Sequence, residues 1–302
     1  VMRQTLAEFA AVIKVGRTQL QDAVPVMMGQ EFSAYAQGIA RDRWRLYKVE
    51  ERLRQVNLGG TAVGTGINTD RKYIFMVTDR VRQYAHIGLA RAENMIDGTQ
   101  NADVFVEVSG LLKALAVNMS KIAHDLRLLS SGPRAGLGEI TLPERQAGSS
   151  IMPGKVNPII AEAVNQLAFN VIASDLAITL AAQSGQLELN AFLPLIAHHL
   201  LGGIEQLTRG AHMFTDLCIK GLKANPDHCR VVLEHSMATV TALVPHIGYD
   251  AATAVAREAT ASKRPVRDIV QEQGLLSPAE LDKVLDPYVM TKPGIAKLKA
   301  QS

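Results

Sequence analysis

Cysteine is nearly absent from this sequence, since Cys218 and Cys229 are the only two among 302 residues. Two cysteines in a chain of this length do not make a disulfide framework, so a reducing cytoplasm is predicted. The eight histidines show no i, i+4 pair beside a carboxylate and no other spacing typical of zinc ligands. These shortages predict a cytoplasmic protein with no metal site and no Cys/His nucleophile.

Aromatic residues are also sparse, at 5% of the chain, although 47% of the residues are hydrophobic. An apolar content made mainly of Ala, Leu, Val, Ile and Met favours closely packed helices over an aromatic-rich β-sandwich. The net charge is only +3 and no long basic run occurs, which argues against a nucleic-acid partner. No uninterrupted apolar run reaches about 18 residues, so a soluble protein with no membrane association is predicted.

Helical spacing of apolar residues dominates the chain, and an all-α fold is predicted. An opening helix is expected to end near Lys14, followed by a loop over residues 15–29. The later helices are predicted at residues 30–57, 71–97 (one or two helices), 101–129, 159–184 and 195–217. A shift to short segments near Ala224-Asn225-Pro226 predicts two domains: a central helical domain over residues 1–226 and a small C-terminal helical domain over residues 227–302.

The predicted helix from Ile159 to Ser184 is unusual because Glu162 and Asp175 are its only charged residues. Apolar and small residues occur almost all round it, which indicates a helix that is buried on every side. One chain of this length rarely covers so long a helix completely, whereas several copies of the chain do so in a helical core. The sequence therefore predicts a homo-oligomer.

A polar loop, Gly148-Ser149-Ser150-Ile151-Met152-Pro153-Gly154-Lys155-Val156-Asn157-Pro158, runs directly into that helix. We call residues 148–158 the signature loop. Asn157 is suited to cap the helix and Pro158 to occupy its first position. Two hydroxyls, one ammonium group and the positive end of a helix then lie together, a combination that suits an anionic ligand.

The string GSSIMPGKVNP resembles the signature of the aspartase/fumarase superfamily, whose members eliminate an amine or water to release fumarate. The resemblance covers essentially the whole chain, from Gly16-Arg17-Thr18-Gln19-Leu20-Gln21-Asp22-Ala23 to Met290-Thr291-Lys292-Pro293-Gly294. It implies a long central helix bundle that contributes to a tetrameric helical core. It also implies a small dicarboxylate substrate, self-association to a homotetramer and no cofactor.

By the same resemblance, Ser149 is the general base and acts as its alkoxide to form an enediolate intermediate. Lys155 and Asn157 match the positions that hold the substrate α-carboxylate. Ser150 matches a position that contacts the β-carboxylate, and Met152 contributes loop backbone. From spacing alone, Ser149 is better explained as a hydroxyl that caps a turn, and Lys155 as a solvated surface lysine.

Thr18 and Gln19 match a second substrate-binding motif of the superfamily. Many members have histidine at the position of Gln19, paired with a glutamate that matches Glu162. An amide is neither an acid nor a base at neutral pH, so a His–Glu relay is excluded here. Gln19 is instead expected to hydrogen-bond the substrate, and Glu162 either supports the site or only favours the helix dipole.

The resemblance implies the reversible elimination of ammonia from L-aspartate to give fumarate. Two alternatives remain open: fumarate hydratase activity, and a non-catalytic fragment that forms the oligomeric helical core. By the resemblance, the chain is expected to correspond to the superfamily polypeptide without its first third, which supplies a further substrate-binding motif. Sites in this superfamily are assembled from three chains, but oligomerisation cannot supply a motif that every copy lacks. The 302-residue chain by itself is therefore expected to be inactive or severely impaired.

Overall fold

The structure, a computed structural model, describes residues 7–298. Helices form most of it. The α-helices among these residues are α1 (Met28–Tyr47), α2 (Val49–Arg52), α3 (Thr61–Gly64), α4 (Arg71–Ala85), α5 (Asp97–Gln100), α6 (Asp103–Leu129), α7 (Ile159–Gln183), α8 (Leu193–Phe214), α9 (Pro226–Glu234), α10 (Val240–Ile247), α11 (Tyr249–Ser262), α12 (Val266–Glu272), α13 (Pro278–Val284) and α14 (Pro287–Met290). A π-helical turn, Thr215–Ile219, continues α8, and a 3-10 turn, Met237–Thr239, precedes α10.

The strands are short and occur in pairs. They are β1 (Ile13–Thr18), β2 (Gln21–Met27), β3 (Gln55–Val56), β4 (Ala90–Arg91), β5 (Ile140–Thr141) and β6 (Lys223–Ala224). β1 pairs with β2 and β5 with β6 in antiparallel fashion, whereas β3 and β4 are parallel. Because these pairs only connect helices, the predicted all-α class is confirmed.

Three of the predicted helices are confirmed with small changes at their ends. Residues 101–129, 159–184 and 195–217 were expected, and α6, α7 and α8 occupy most of each range. The helix predicted over residues 30–57 ends earlier, because α1 stops at Tyr47 and β3 begins at Gln55.

The beginning of the chain is where the predicted secondary structure is wrong. Ala7 and Glu8 are helical, but the helix expected to end near Lys14 stops there, because residues 9–11 form a turn and β1 begins at Ile13. In place of the loop over residues 15–29, β1 and β2 form a hairpin. Alternating Ile13 and Val15 on β1 face Met27 and Pro25 on β2, so a period of two outweighs the helical spacing read there. Part of the expected opening helix, residues 1–6, lies outside the described residues.

The chain divides into two compact units. The first unit contains the residues up to Ala36, Leu128–Glu144 and the residues from Ile219 onward; the second contains Gln37–Arg127 and Arg145–Cys218. These units do not test the predicted domain boundary near Pro226, which stays a prediction.

The first unit has an apolar core in its C-terminal part. Eight residues from α10 to α13 are nearly inaccessible to solvent: Leu243, Val255, Ala259, Val266, Ile269, Val270, Leu281 and Val284. A capping box fixes the start of α13, since Ser277 and Glu280 each accept a hydrogen bond from the other's backbone N–H.

In the second unit, α7 packs along α8 and against α6. Its buried residues recur at helical spacing: Ala161, Val164, Asn165, Ala168, Val171, Asp175, Ile178 and Ala181. Asp175 accepts hydrogen bonds from Ser109 Oγ at 2.8 Å and Lys113 Nζ at 2.5 Å on α6, which satisfies its buried carboxylate.

The other side of α7 is apolar yet open. Phe169, Leu176 and Leu180 are 53%, 61% and 50% exposed, and their spacing places them along one face. By length and composition α7 is the one helix among the described residues that could cross a membrane. A core helix of a soluble protein passes the same test, so this is weak evidence for a span.

Candidate active site

The signature loop lies in the second unit and closes on itself at its base. Gly148 N donates to Lys155 O at 2.8 Å, and Asn157 Nδ2 donates to Gly148 O at 2.9 Å. A Cβ built on Gly148 would lie 2.3 Å from Lys155 O, closer than real atoms approach. Only glycine therefore permits this closure at position 148.

Inside the closed loop, the Ser149 hydroxyl oxygen accepts two backbone hydrogen bonds. Ile151 N and Met152 N both donate to Ser149 Oγ at 3.1 Å. Hydrogen bonds donated to an oxygen stabilise negative charge on it and favour its deprotonated form. The turn therefore uses the Ser149 hydroxyl as an acceptor, and the same two donors would favour negative charge on its oxygen.

The other predicted loop residues are presented to solvent. Ser150, Met152 and Lys155 are exposed. The Lys155 ammonium forms no ion pair with any residue between 7 and 298. Met152 contributes backbone on both sides, because its N–H donates to Ser149 and its carbonyl accepts from Lys155 N at 3.3 Å. An exposed, unpaired ammonium is suited to bind a carboxylate.

The predicted cap of the long helix is wrong. α7 begins at Ile159 after Pro158, and no side chain caps it. The Asn157 side chain is engaged with Gly148 O instead. The hydrogen bond from Asn157 to Gly148, nine residues away, competes with helix capping for the same side chain. The capping motif in the sequence does not reveal this contact.

Glu162 lies in the first turn of α7, as the helix-dipole interpretation requires. It also faces a cation, since Arg127 Nη2 lies 3.7 Å from Glu162 Oε1. Arg127 Nη1 donates to Asn165 Oδ1 at 3.1 Å, and Asn165 Nδ2 donates to Ser120 O at 2.9 Å. Glu162 is therefore one end of a polar network between α6 and α7.

Thr18 and Gln19 lie in the first unit, at the tip of the β1–β2 hairpin. Thr18 pairs with Gln21, so Gln19 and Leu20 are the two residues of the turn, with φ of 52° and 62°. Two left-handed residues define a type I′ turn, which normally uses Asn and Gly. Thr18, Gln19 and Leu20 are all exposed, so a strained turn presents them to solvent.

Arg145 is a residue near the loop that the sequence analysis missed. It precedes the signature loop and donates through Nε to Leu217 O at 2.8 Å, in the π-helical turn after α8. A π-helical turn interrupts the regular helical hydrogen bonds, which leaves carbonyl groups for other donors. No pattern in the sequence signals a contact across 72 residues.

The two cysteines are buried and chemically quiet. Burial raises the pKa of the Cys218 thiol to about 12, with Arg145 acting in the opposite direction. Burial also raises the pKa of the Cys229 thiol to about 12, and the charge of Glu139 adds to the effect. Both thiols are therefore protonated at neutral pH. Among residues 7–298, no group of three His, Cys, Asp or Glu side chains is arranged to hold a metal ion.

Two family profiles match the chain. The profile described as "Lyase" matches residues 1–173, and that described as "Fumarase C C-terminus" matches residues 240–292. Since the first match covers more than half of the chain, the chain belongs to this lyase family.

Curated relatives at about half identity carry one name. The chain is 50% identical to an aspartate ammonia-lyase of Bacillus subtilis (strain 168) over 98% of its own length, and 52% identical to one of Pseudomonas fluorescens over 97%. It spans 62% of the length of each relative.

Solved structures have the same fold. A cobalt-bound fumarate lyase:delta crystallin from Brucella melitensis matches 97% of this chain with a TM-score of 0.92 and 47% identity, and the chain covers 63% of it. A class II fumarase from Schistosoma mansoni also matches 97%, with a TM-score of 0.86 and 34% identity, over 64% of its chain.

Proposed function

We propose that the full-length protein containing this chain is an aspartate ammonia-lyase that converts L-aspartate reversibly to fumarate and ammonia. The observation that carries the proposal is the pair of backbone N–H groups held at 3.1 Å from Ser149 Oγ. The names of the relatives at 50% and 52% identity support the choice of substrate.

The first step of this reaction removes a proton from the carbon next to the β-carboxylate. The electron pair moves into that carboxylate and forms a doubly charged enediolate, which fixed positive groups must stabilise. In the proposed mechanism Ser149 accepts the proton as its alkoxide. A serine hydroxyl is a very weak acid, so the donors Ile151 N and Met152 N are needed to stabilise the oxyanion.

The second step breaks the C–N bond of the protonated amino group. The electron pair of the enediolate forms the double bond of fumarate, and the electron pair of the C–N bond leaves with nitrogen as neutral ammonia. Lys155 and Asn157 are proposed to hold the α-carboxylate, and Ser150 the β-carboxylate. Thr18 and Gln19 are proposed to bind the substrate from the hairpin tip, with the Gln19 amide accepting from the amino group.

Self-association to a homotetramer and a cytoplasmic location belong to the same proposal. The exposed apolar side of α7 supports self-association, and the two buried, unpaired cysteines support a reducing compartment.

Fumarate hydratase is the second candidate, because the Schistosoma mansoni fumarase has the same fold at 34% identity. The two are separated by assaying L-aspartate and L-malate with the full-length protein and following fumarate absorbance. We expect kcat/KM for L-aspartate to exceed that for L-malate by at least about 100-fold, since a site built to bind an amino group rejects the hydroxyl analogue. Turnover of L-malate alone would overturn the proposal. The same assay on the 302-residue chain tests whether this chain is only a non-catalytic helical core.

Replacing Gly148 by alanine is expected to slow ammonia release by at least about tenfold, because the loop must open to relieve the contact with Lys155 O. The measurement is the steady-state rate with L-aspartate. Gly110→Ala is the matched control, since a Cβ there meets nothing within 4 Å and the site lies within α6. A wild-type rate for Gly148→Ala would show that the loop closure is not required.

A further inference from the structure

Two cations of strand β1 and two carboxylates of the first unit form a cluster of charged side chains. We call these four residues the hairpin cluster: Lys14, Arg17, Glu31 and Glu139. Lys14 Nζ lies 2.9 Å from Glu139 Oε2 and 3.3 Å from Glu31 Oε2, and Arg17 Nη1 lies 2.6 Å from Glu139 Oε1. The Glu139 side chain is 0% exposed and that of Lys14 is 3% exposed. Two positive and two negative groups balance, as burial of charge requires.

Glu139 is fixed from several directions. Its N–H donates to Leu129 O at 2.9 Å, and its carbonyl accepts from Asn225 N at 2.9 Å. The following residue, Ile140, pairs with Ala224 between β5 and β6. The backbone that carries the Glu139 carboxylate is therefore held in place by its hydrogen bonds.

A bulge in β1 lies just before the tip of the hairpin. At Gly16 the β1–β2 register shifts, and a Cβ there would lie 2.6 Å from Val24 O. A bulge redirects the strand that follows it. Arg17 comes directly after the bulge and directly before Thr18, and its guanidinium pairs with the Glu139 carboxylate.

The turn beyond Arg17 is strained, because Gln19 and Leu20 are both left-handed without being glycine. A strained turn persists only where its surroundings hold it. Among the described residues, the Arg17–Glu139 contact is the charged link closest in sequence to this turn, with one residue between Arg17 and Gln19.

We propose that Glu139, acting through Arg17, is a positioning residue that holds Thr18 and Gln19 where they meet the substrate. This inference rests on the proposed function of the hairpin tip. Lys14 shares the same carboxylate but lies on the far side of the bulge, so its pair with Glu139 secures the strand and not the tip. The two pairs within one cluster therefore have different duties.

Two charge-balanced double variants of the full-length protein separate these duties. Lys14→Met with Glu139→Gln retains Arg17 and an amide oxygen for it to bind. Arg17→Met with Glu139→Gln removes the link to the tip and retains the pair between Lys14 and Glu31. Each variant loses one positive and one negative group, so the cost of an unbalanced buried charge is avoided in both.

We expect KM for L-aspartate to rise at least about tenfold in the Arg17 double variant and less than about threefold in the Lys14 double variant, with kcat within about threefold in both. The kcat is preserved because the base is Ser149 on a different segment. Thermal midpoints are measured alongside, because a merely structural cluster would lower them in both variants without separating the KM values.

Equal KM changes in the two double variants would overturn the proposal, as would an unchanged KM in the Arg17 double variant. If that variant does not fold, Arg17→Lys keeps the charge but loses the planar guanidinium. An unchanged KM in Arg17→Lys would likewise overturn it, and a rise of at least about threefold would support it. A wild-type protein that releases no ammonia refutes the proposed function itself, which is a different result.

Discussion

Replacing Ser149 by alanine in the full-length protein is expected to lower kcat for ammonia release from L-aspartate by about 10³-fold or more. The substitution removes the oxygen that receives the N–H groups of Ile151 and Met152, and with it the proposed base. The loop closure between Gly148 and Lys155 does not use this hydroxyl, so the loop is expected to remain folded.

Ser131→Ala is the matched control for this experiment. The Ser131 hydroxyl also accepts a backbone hydrogen bond, from Leu137 N at 3.0 Å, and donates to Leu128 O. Its loss is expected to cost about 1 kcal/mol of unfolding free energy and to leave kcat unchanged. If Ser149→Ala retains more than a tenth of wild-type kcat, Ser149 is not the base.

Arginine in place of Leu176 or Leu180 is expected to convert the proposed tetramer of the full-length protein into smaller species. These side chains are 61% and 50% exposed on one face of α7, next to Phe169. If copies of the chain cover this face, each copy would bury one unpaired arginine in the interface. The cost to the free energy of association is several kcal/mol for each buried charge. Light scattering gives the mass, and ammonia release is expected to fall with it if the site is shared between chains.

Val231→Arg is the control for association, since Val231 is a 46% exposed aliphatic residue on α9 in the other unit. Its mass is expected to equal that of the wild type. Tetramers of unchanged stability from both the Leu176 and Leu180 variants would show that this face is not an interface. A monomeric wild-type protein would refute the oligomer directly.

The long helices could be predicted because their information is local. α7 has neither glycine nor proline between Ile159 and Gln183, and α6 repeats apolar residues at helical spacing. The hairpin could not be predicted in the same way. Its turn contains Gln19 and Leu20, whereas the sequence signal for a type I′ turn is Asn-Gly.

For the candidate site, residue identities could be predicted but their contacts could not. The superfamily resemblance selected Ser149, Lys155 and Asn157. It did not indicate that Asn157 closes the loop on Gly148. The contact of Arg17 with Glu139 joins residues 122 positions apart, and nothing in the spacing of either segment points to the other.

The most direct test of this account is ammonia release from L-aspartate by the full-length protein, with fumarate measured in the same sample and L-malate as the control substrate. The account predicts one ammonia for each fumarate and little turnover of L-malate. Fumarate formed from L-malate, with no ammonia released from L-aspartate, would contradict it.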